Sequence, residues 1–419
     1  MVVPLSTDNA KGRARFVFIF VTVALDMLAV GIIIPILPKL IEQFESGNTG
    51  NAAQIYGLFS TAWALMQFAF SPTLGAISDC YGRRSVILLS NFGLGLSYLV
   101  MAVAPTLSWL FLARILSGIT SASFPAAGAY VADITPPEQR AKNYGMLSAA
   151  FGLGFVLGPA LGGIAGSVDP RLPFWLAAGL SLINATYGIL VLPESLSPDR
   201  RGKFQWRRAN PMGSLGLLRS DSQLFGLATV RFIGNIAFQA MPTTFVLYAS
   251  YRFGWGESAI GLALAASGIC SALVGTVLVQ PSVARFGERR VLLGGLIFAI
   301  AGYAIYGLAT TTATFLTAIP VGALGGLSSP TIQGMMTRRV RPSEQGQLQG
   351  ALNSMVGIAS MIGPIIFAQV FASFIGEWRT WNLPGAPFVL GAIMLALSLL
   401  VAWRSIGISP HEIVETARV

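Results

Sequence analysis

"GLGFVLGPALGG", residues 152–163, carries five glycines and one proline in a stretch otherwise apolar enough to sit in lipid. Inside a helix, glycine and proline cost about 1 and 3 kcal/mol against alanine, so their concentration here needs a physical reason. Gly154, Gly158 and Gly162 are spaced by four residues, which places them on one helix face. With no side chains there, a neighbouring backbone can approach closely, and Gly163 widens the bare surface. Pro159 removes one backbone donor and is expected to bend the helix, with neighbouring groups satisfying the freed carbonyl. The stretch therefore predicts a kinked membrane helix used as a packing surface.

The surrounding chain fits that reading. Of its 419 residues, 54% are hydrophobic and 11% charged, far below the roughly 25% charged of soluble domains. Windows of about 19 residues pick out twelve apolar segments, near 16–37, 54–74, 86–105, 107–131, 143–166, 173–192, 223–249, 258–279, 291–309, 312–336, 347–375 and 384–403. Each is long enough to span a bilayer as a helix, and none alternates with the period of a barrel strand. With the first terminus placed in the cytoplasm, 21 of the 27 basic residues fall on the inner side. Only Lys39, Arg171, Arg252 and Arg379 fall outside, which is the bias expected when lysine and arginine hold loops in the cytoplasm. The net charge of +10 is thus topological and gives no reason to expect nucleic acid. The opening "MVVPLSTDNAKGRARF" lacks a cleavage pattern behind its apolar run and is expected to be retained. Cys80 lies in an inner loop and Cys270 in a span, and the single histidine, His411, is in the tail, so neither a disulfide, a metal site nor a cofactor is expected.

An internal repeat organises the chain. "YGRRSVILL" at 81–89 is echoed by "FGERRVLLG" at 286–294, and "GIASMIGPIIFA" at 357–368 echoes the opening stretch. Gly82 with Gly287, Pro125 with Pro330, Pro137 with Pro342, Gly145 with Gly350, Gly152 with Gly357, Gly158 with Gly363 and Pro159 with Pro364 all share an offset of 205. Shared apolar composition would scatter similarities over many offsets, so one constant value points to duplication. The expected organisation is a six-helix half over 1–192, a basic cytoplasmic linker over 193–222, a second six-helix half over 223–404 and a tail over 405–419.

Several motifs carry a family resemblance. "GAISDCYGRR" (75–84), "RILSGITSA" (114–122) and "GFVLGPALGG" (154–163), with "LDMLAVGIIIPILPKL" (25–40) and "AYVADITPPEQRAKNYG" (129–145), resemble the major facilitator superfamily. Within it the chain is most similar to the drug:proton antiporters of the tetracycline and multidrug efflux group. The resemblance implies an all-α integral membrane protein of twelve helices in two pseudosymmetric halves around a midplane site, and a transporter rather than an enzyme. It implies that the glycine surface seals the halves while they rock. A cytoplasmic gate is implied at Gly75, Asp79, Gly82, Arg83, Arg84 and Asp133, in which a charge network works as a switch more than as glue. Ala284 and Arg338 stand where the repeat would place Asp79 and Asp133, so the gate is expected to be asymmetric, and Cys80 replaces the family's usual basic residue. Tetracycline exporters of the group usually have an acid before the helix-three tyrosine, a histidine in helix eight and an acid in helix nine. Here Ser97 precedes Tyr98, helix eight has no histidine and 291–309 has no acid, which makes tetracycline a poor choice of substrate.

Ionisable residues inside spans are candidates for function by default. Asp26 lies about 15 Å into the first span at 1.5 Å per residue, near the midplane. Desolvation favours a neutral carboxyl and a nearby cation favours a charged one, so a site alternating between the two loads and releases a proton. Asp26 is read as the proton carrier, and the resemblance gives Arg114 a part in proton coupling. The competing reading is a static ion pair. Subtracting 205 from Arg231 gives 26, so the seventh span's one charge is the mate of Asp26. Arg231, Asn235 and Gln239 then form a polar stripe at i, i+4 and i+8 beside Phe238, read as facing substrate, with interhelical hydrogen bonding the equal alternative. Trp63, Gln67, Asn91, Gln333 and Asn353 are further cavity candidates. The expected function is export of small amphipathic organic molecules in exchange for protons, by a monomer in the bacterial inner membrane with both termini cytoplasmic. Metabolite or sugar transport is the alternative, and a non-transporting scaffold or receptor the remote one.

Overall fold

The computed structural model describes residues 7–197, 199, 201 and 213–405. The tail with His411 and most of the basic linker lie outside them. Every regular element among the described residues is helical. In chain order they are α1 (Thr7–Ile33), α2 (Leu37–Phe44), α3 (Thr49–Tyr81), α4 (Arg83–Val103), α5 (Leu107–Thr120), α6 (Ser123–Ile134), α7 (Pro137–Val168) and α8 (Leu172–Val191). After the linker come α9 (Ser222–Phe238), α10 (Ala240–Phe253), α11 (Glu257–Leu273), α12 (Val279–Leu308), α13 (Thr312–Leu324), α14 (Ser328–Thr337), α15 (Gln345–Ile375) and α16 (Ala386–Ser405).

These helices make twelve spans. Ten stretches are long and apolar enough to cross a membrane, and one of them, Glu257–Leu308, holds two spans. Gly287, at φ 76°, separates those two, and α3 is the twelfth. The first, fourth and seventh spans are each broken into two helices: α1 with α2, α5 with α6, and α9 with α10. Large apolar side chains such as Leu190 and Val168 are more than three-quarters exposed, as a lipid-facing surface requires.

The 205-residue repeat is visible in the backbone. Gly82 and Gly287 are both at positive φ, 104° and 76°, where a side chain would be strained. Helix α1 ends at Ile33 and α9 at Phe238, again 205 residues apart. The fourth span is interrupted at Ser121–Ala122, and its mate between α13 and α14 turns through a short 3₁₀ segment, Gly325–Leu327.

The described residues cluster into two compact units. One comprises the chain up to Pro211 together with Pro242–Ile269, and the other Met212–Met241 with the chain from Cys270 onward. Units and sequence repeat therefore divide near the same linker but differ over Pro242–Ile269, which packs with the first unit. In the first unit, α1 runs along α7 and α8, and α4 along α8. Its core gathers Phe16, Ile19, Val23, Ile87, Tyr130 and Leu147. In the second, α12 packs on α13 and α16, and α9 on α15 and α16, around Leu224, Leu227, Leu292, Met336 and Leu352.

Candidate functional site

The glycine face of α7 is in backbone contact with α1. A methyl carbon on Gly154 would stand 2.6 Å from the Met27 carbonyl carbon, and one on Gly158 would stand 2.5 Å from the Cα of Gly31. One on Gly162 would collide with the Ile32 carbonyl oxygen. An adjoining face of α7 makes a second backbone contact. Gly163 faces the Glu257 carbonyl and the Cα of Gly261 on α11, and Gly261 in turn faces the Pro159 carbonyl. Ser258 adds a hydrogen bond to the Gly163 carbonyl at 3.4 Å. Helix α7 runs unbroken through Pro159, held between α1 and α11.

On α1, one turn before this contact, Asp26 is 2% exposed. The Ser123 hydroxyl donates to Asp26 Oδ2, and Asp26 Oδ1 is buried with no protein partner. Ser123 is the first residue of α6, so the carboxyl faces the start of a helix, where the backbone dipole favours negative charge. The static ion pair weighed from sequence is absent, since no ion pair forms at Asp26 among the described residues. Arg114 instead lies over the Trp63 ring, 4.9 Å from its centroid, with Nε buried and without a protein acceptor. Asp26 and Arg114 thus each have a different partner, and neither is paired with the other. Gln67 donates to Ser121 at 3.0 Å, at the break that presents Ser123.

The mate of this arrangement is in the second unit. Arg231 donates to the carbonyl and hydroxyl of Ser329 at 3.3 and 3.5 Å, at the equivalent interruption before α14. Both charges of the repeat therefore meet a serine at the start of the second piece of a broken fourth span. Asn235 has a buried Nδ2 without a partner, Phe238 is 61% exposed, and Gln239 donates to Ser360 on α15 at 2.8 Å. The stripe ends where α9 ends. Gln333, Gln349 and Asn353 form a chain of amides at 3.5 and 3.2 Å on α14 and α15. Asn91 departs from the cavity expectation. It is 1% exposed, enclosed on α4 along the side that packs against α8.

Where α3 meets α4, Arg83 pairs with Asp79 and, at 3.2 Å, with Asp133, while Arg84 donates to the Ile189 carbonyl at 2.6 Å. Glu194, which the sequence reading passed over, accepts from the backbone N–H groups of Arg83, Ser195 and Leu196 at 2.9 to 3.0 Å. A methyl on Gly82 would overlap this carboxylate, whereas one on Gly75 would meet open space. In the second unit Arg338 pairs with Glu288. Positions 288 and 338 are the mates of 83 and 133, so the second copy is less degraded than Ala284 and Arg338 suggest. It keeps one ion pair with the charges exchanged.

Comparison with known proteins gives this arrangement a family. The model of the Major Facilitator Superfamily matches residues 19–273 and 244–418. The chain belongs to the major facilitator superfamily. As a superfamily member it is 36% identical over 389 residues to the class C tetracycline resistance protein of Escherichia coli, covering 93% of this chain and 96% of that one. It is 33% identical over 400 residues to the class G tetracycline resistance protein of Vibrio anguillarum, covering 95% and 99%. Among solved structures it superposes on the human organic anion transporter MFSD10 with a TM-score of 0.68 at 22% identity, covering 93% of this chain and 99% of the other. It superposes on the nucleoside transporter NupG with a TM-score of 0.76 at 13% identity, covering 94% and 100%. The chain is an integral membrane transporter of small molecules and not an enzyme.

Three residues of the site escaped the sequence reading. Ser123 was signalled by the small-residue run "SASFP" that breaks the fourth span, and Ser329 by the equivalent run "LSSP" of the repeat, one residue past the mate of Ser123. Glu194 had no local signal, because its one distant partner is the backbone N–H of Arg83, and the other two belong to the residues that follow it.

Proposed function

We propose that this transporter exports small amphipathic organic molecules in exchange for protons, by alternating access of its two halves. The observation that carries the reading is Asp26: a carboxyl buried to 2%, held by a single hydroxyl and left without a counter-ion. A charge so placed costs about 2.5–3.5 kcal/mol on insertion scales unless it is protonated, so a neutral form is always within reach. Each proton moving inward supplies about 2.3 kcal/mol per 100 mV of membrane potential. Asp26 carries that proton, and Arg114, restrained on Trp63 and within reach of the same neighbourhood, biases the carboxyl toward release.

Arg231, Asn235, Phe238 and Gln239 form the substrate-facing stripe, which suits a neutral or anionic molecule. The Arg83 cluster is the cytoplasmic gate, and the glycine face of α7 keeps the first half sealed as it moves. The halves are 1–192 and 223–404, joined by 193–222, and one chain works alone in a bacterial inner membrane with both termini in the cytoplasm. The tetracycline resistance proteins among its relatives make tetracycline the first compound to test, although Ser97 and an acid-free ninth span argue for a different cargo.

The test is proton-gradient-driven uptake into everted membrane vesicles, whose outer face is the cytoplasmic one, of a panel of drugs that includes tetracycline. Asp26→Asn should abolish pumping while leaving expression and thermal unfolding near wild type. Normal pumping by that variant would overturn the reading.

A further inference from the structure

Between Asp26 and the inner surface lies a set of buried polar groups that neither the packing nor the site accounts for. Ser90, Asn91, Ser181 and Asn184 are all at most 1% exposed. Asn91 has neither its Oδ1 nor its Nδ2 bonded to protein, and Ser90 Oγ, Ser181 Oγ and Asn184 Oδ1 are likewise without partners. Buried polar groups are almost always hydrogen-bonded, so this many orphans along one seam is a signal.

The seam begins at the proton site. Asn184 Nδ2 donates to the Thr22 carbonyl at 2.8 Å, and Thr22 is one helical turn inward of Asp26, whose Oδ1 is itself an orphan. Helices α4 and α8 run antiparallel, with Gly95 against Leu182 and Gly188 against Leu88, and that register sets Asn91 level with Asn184. Asn91 is about 12 Å from the inner end of α4, and Asn184 about 10 Å from the inner end of α8, at 1.5 Å per residue. With Asn184 bonded to Thr22, Ser181 lies about one turn further along α8 toward the level of Asp26, and Ser90 precedes Asn91 on α4. No charged side chain stands among them.

We propose that this seam between α1, α4 and α8 is a proton relay, in which water bonded to the orphaned amides and hydroxyls connects Asp26 with the cytoplasmic side through the first half alone. A buried water commonly finds two to four polar partners, which is what these side chains offer. The O–H bond of the protonated carboxyl breaks and its proton passes to the first water. Each water gains one proton and gives one up, so the last delivers it to the cytoplasm. The amides accept and donate hydrogen bonds without changing their own protonation. The relay rests on the reading of Asp26 as the proton carrier. It adds that protons leave by a path separate from the one the substrate takes.

The test uses the purified full-length protein in lipid nanodiscs and infrared difference spectroscopy. A pH titration first identifies the carboxyl band that Asp26→Asn removes, and the rate at which that band shifts after transfer to deuterated buffer is then measured. Asn91→Leu should slow this exchange about tenfold or more, a change of one decade in rate. Asn91 makes no hydrogen bond to protein, so a purely structural role predicts a variant at least as stable as wild type with unchanged exchange. Asn184→Leu should slow exchange too, and Asn184→Ser, which keeps a polar group and leaves room for water, should restore it. If Asn184→Leu does not fold, Ser90→Ala, which removes no protein contact, still reads the seam and should slow exchange. Wild-type exchange in Asn91→Leu and Ser90→Ala would overturn the relay while leaving Asp26 as proton carrier intact. Absence of any band sensitive to Asp26→Asn would overturn both.

Discussion

Replacing Gly158 by alanine adds one methyl group to the contact between α1 and α7. Built on the present backbone, that methyl carbon stands 2.5 Å from the Cα of Gly31, 2.7 Å from its carbonyl carbon and 2.9 Å from the Ile32 nitrogen. Carbon atoms rest about 3.5–4.0 Å apart, so the two helices must separate by about 1 Å. All three neighbours are backbone, which leaves no side chain to yield. Overpacking of this kind costs about 1–3 kcal/mol. The disturbance reaches the proton site, because Gly154 on the same face abuts the Met27 backbone, next to Asp26. Gly152→Ala is the matched control, since a methyl there meets nothing within 4 Å and gains about 1 kcal/mol of helix propensity. Thermal unfolding of the purified proteins and proton-driven uptake into everted vesicles are the two measurements. Gly158→Ala should melt below wild type and pump poorly, and Gly152→Ala should melt at or slightly above wild type and pump normally. If Gly158→Ala melts at or above the control, the close backbone contact does not exist in the membrane and the reading of the glycine face falls.

Two further outcomes follow from the charged ends of the spans. Gly82→Ala should lower stability by about 1–3 kcal/mol, because φ 104° is strained for any side chain and its methyl would press on a carboxylate held by three backbone N–H groups. Gly75→Ala, which enters open space, should cost little, and equal melting temperatures for the two would contradict the geometry. In the second unit, Glu288→Arg or Arg338→Glu alone should reduce efflux through like-charge repulsion, and the double substitution should recover most of it. Because Arg338 is 59% exposed, the coupling measured by a double-mutant cycle should be only about 0.2–1 kcal/mol, and activity of the double variant below both singles would refute the exchanged ion pair.

The sequence reading reached furthest where one residue type has one physical use. Glycines spaced by four mean a bare helix face, and the structure fills that face with another backbone at Gly31. A constant offset means duplication, and Gly82 with Gly287, Ile33 with Phe238 and Ser123 with the start of α14 all respect it. The reading fell short where partners come from distant parts of the chain. Asn91 looks like any polar residue in a span until the antiparallel register of α4 and α8 encloses it. The ion pair of Glu288 with Arg338 was hidden because the repeat was scored for identity, and an exchange of charges counts as two mismatches although it preserves the contact. The repeat assigns Pro242–Ile269 to the second half, yet Gly261 of α11 fits against Pro159 and Gly163 of α7, so that segment packs with the first unit.

The duplicated halves differ most instructively at the mates Gly158 and Gly363. In the first half Gly158 admits a backbone, and α1 and α7 touch with nothing between them. In the second half a methyl on Gly363 would stand 2.5 Å from the Cβ and Cγ of Gln239, so the same gap admits a side chain instead. Gln239 uses that room to reach Ser360 on α15, at the point where α9 ends. A backbone-to-backbone contact permits only one spacing and fixes α1, with Asp26 on it, against α7. An amide lying in a glycine notch can change rotamer and exchange its hydrogen-bond partner at modest cost. On the proposed reading, the stiffer half carries the carboxyl that trades a proton, and the more adaptable half carries the polar stripe that accommodates a cargo.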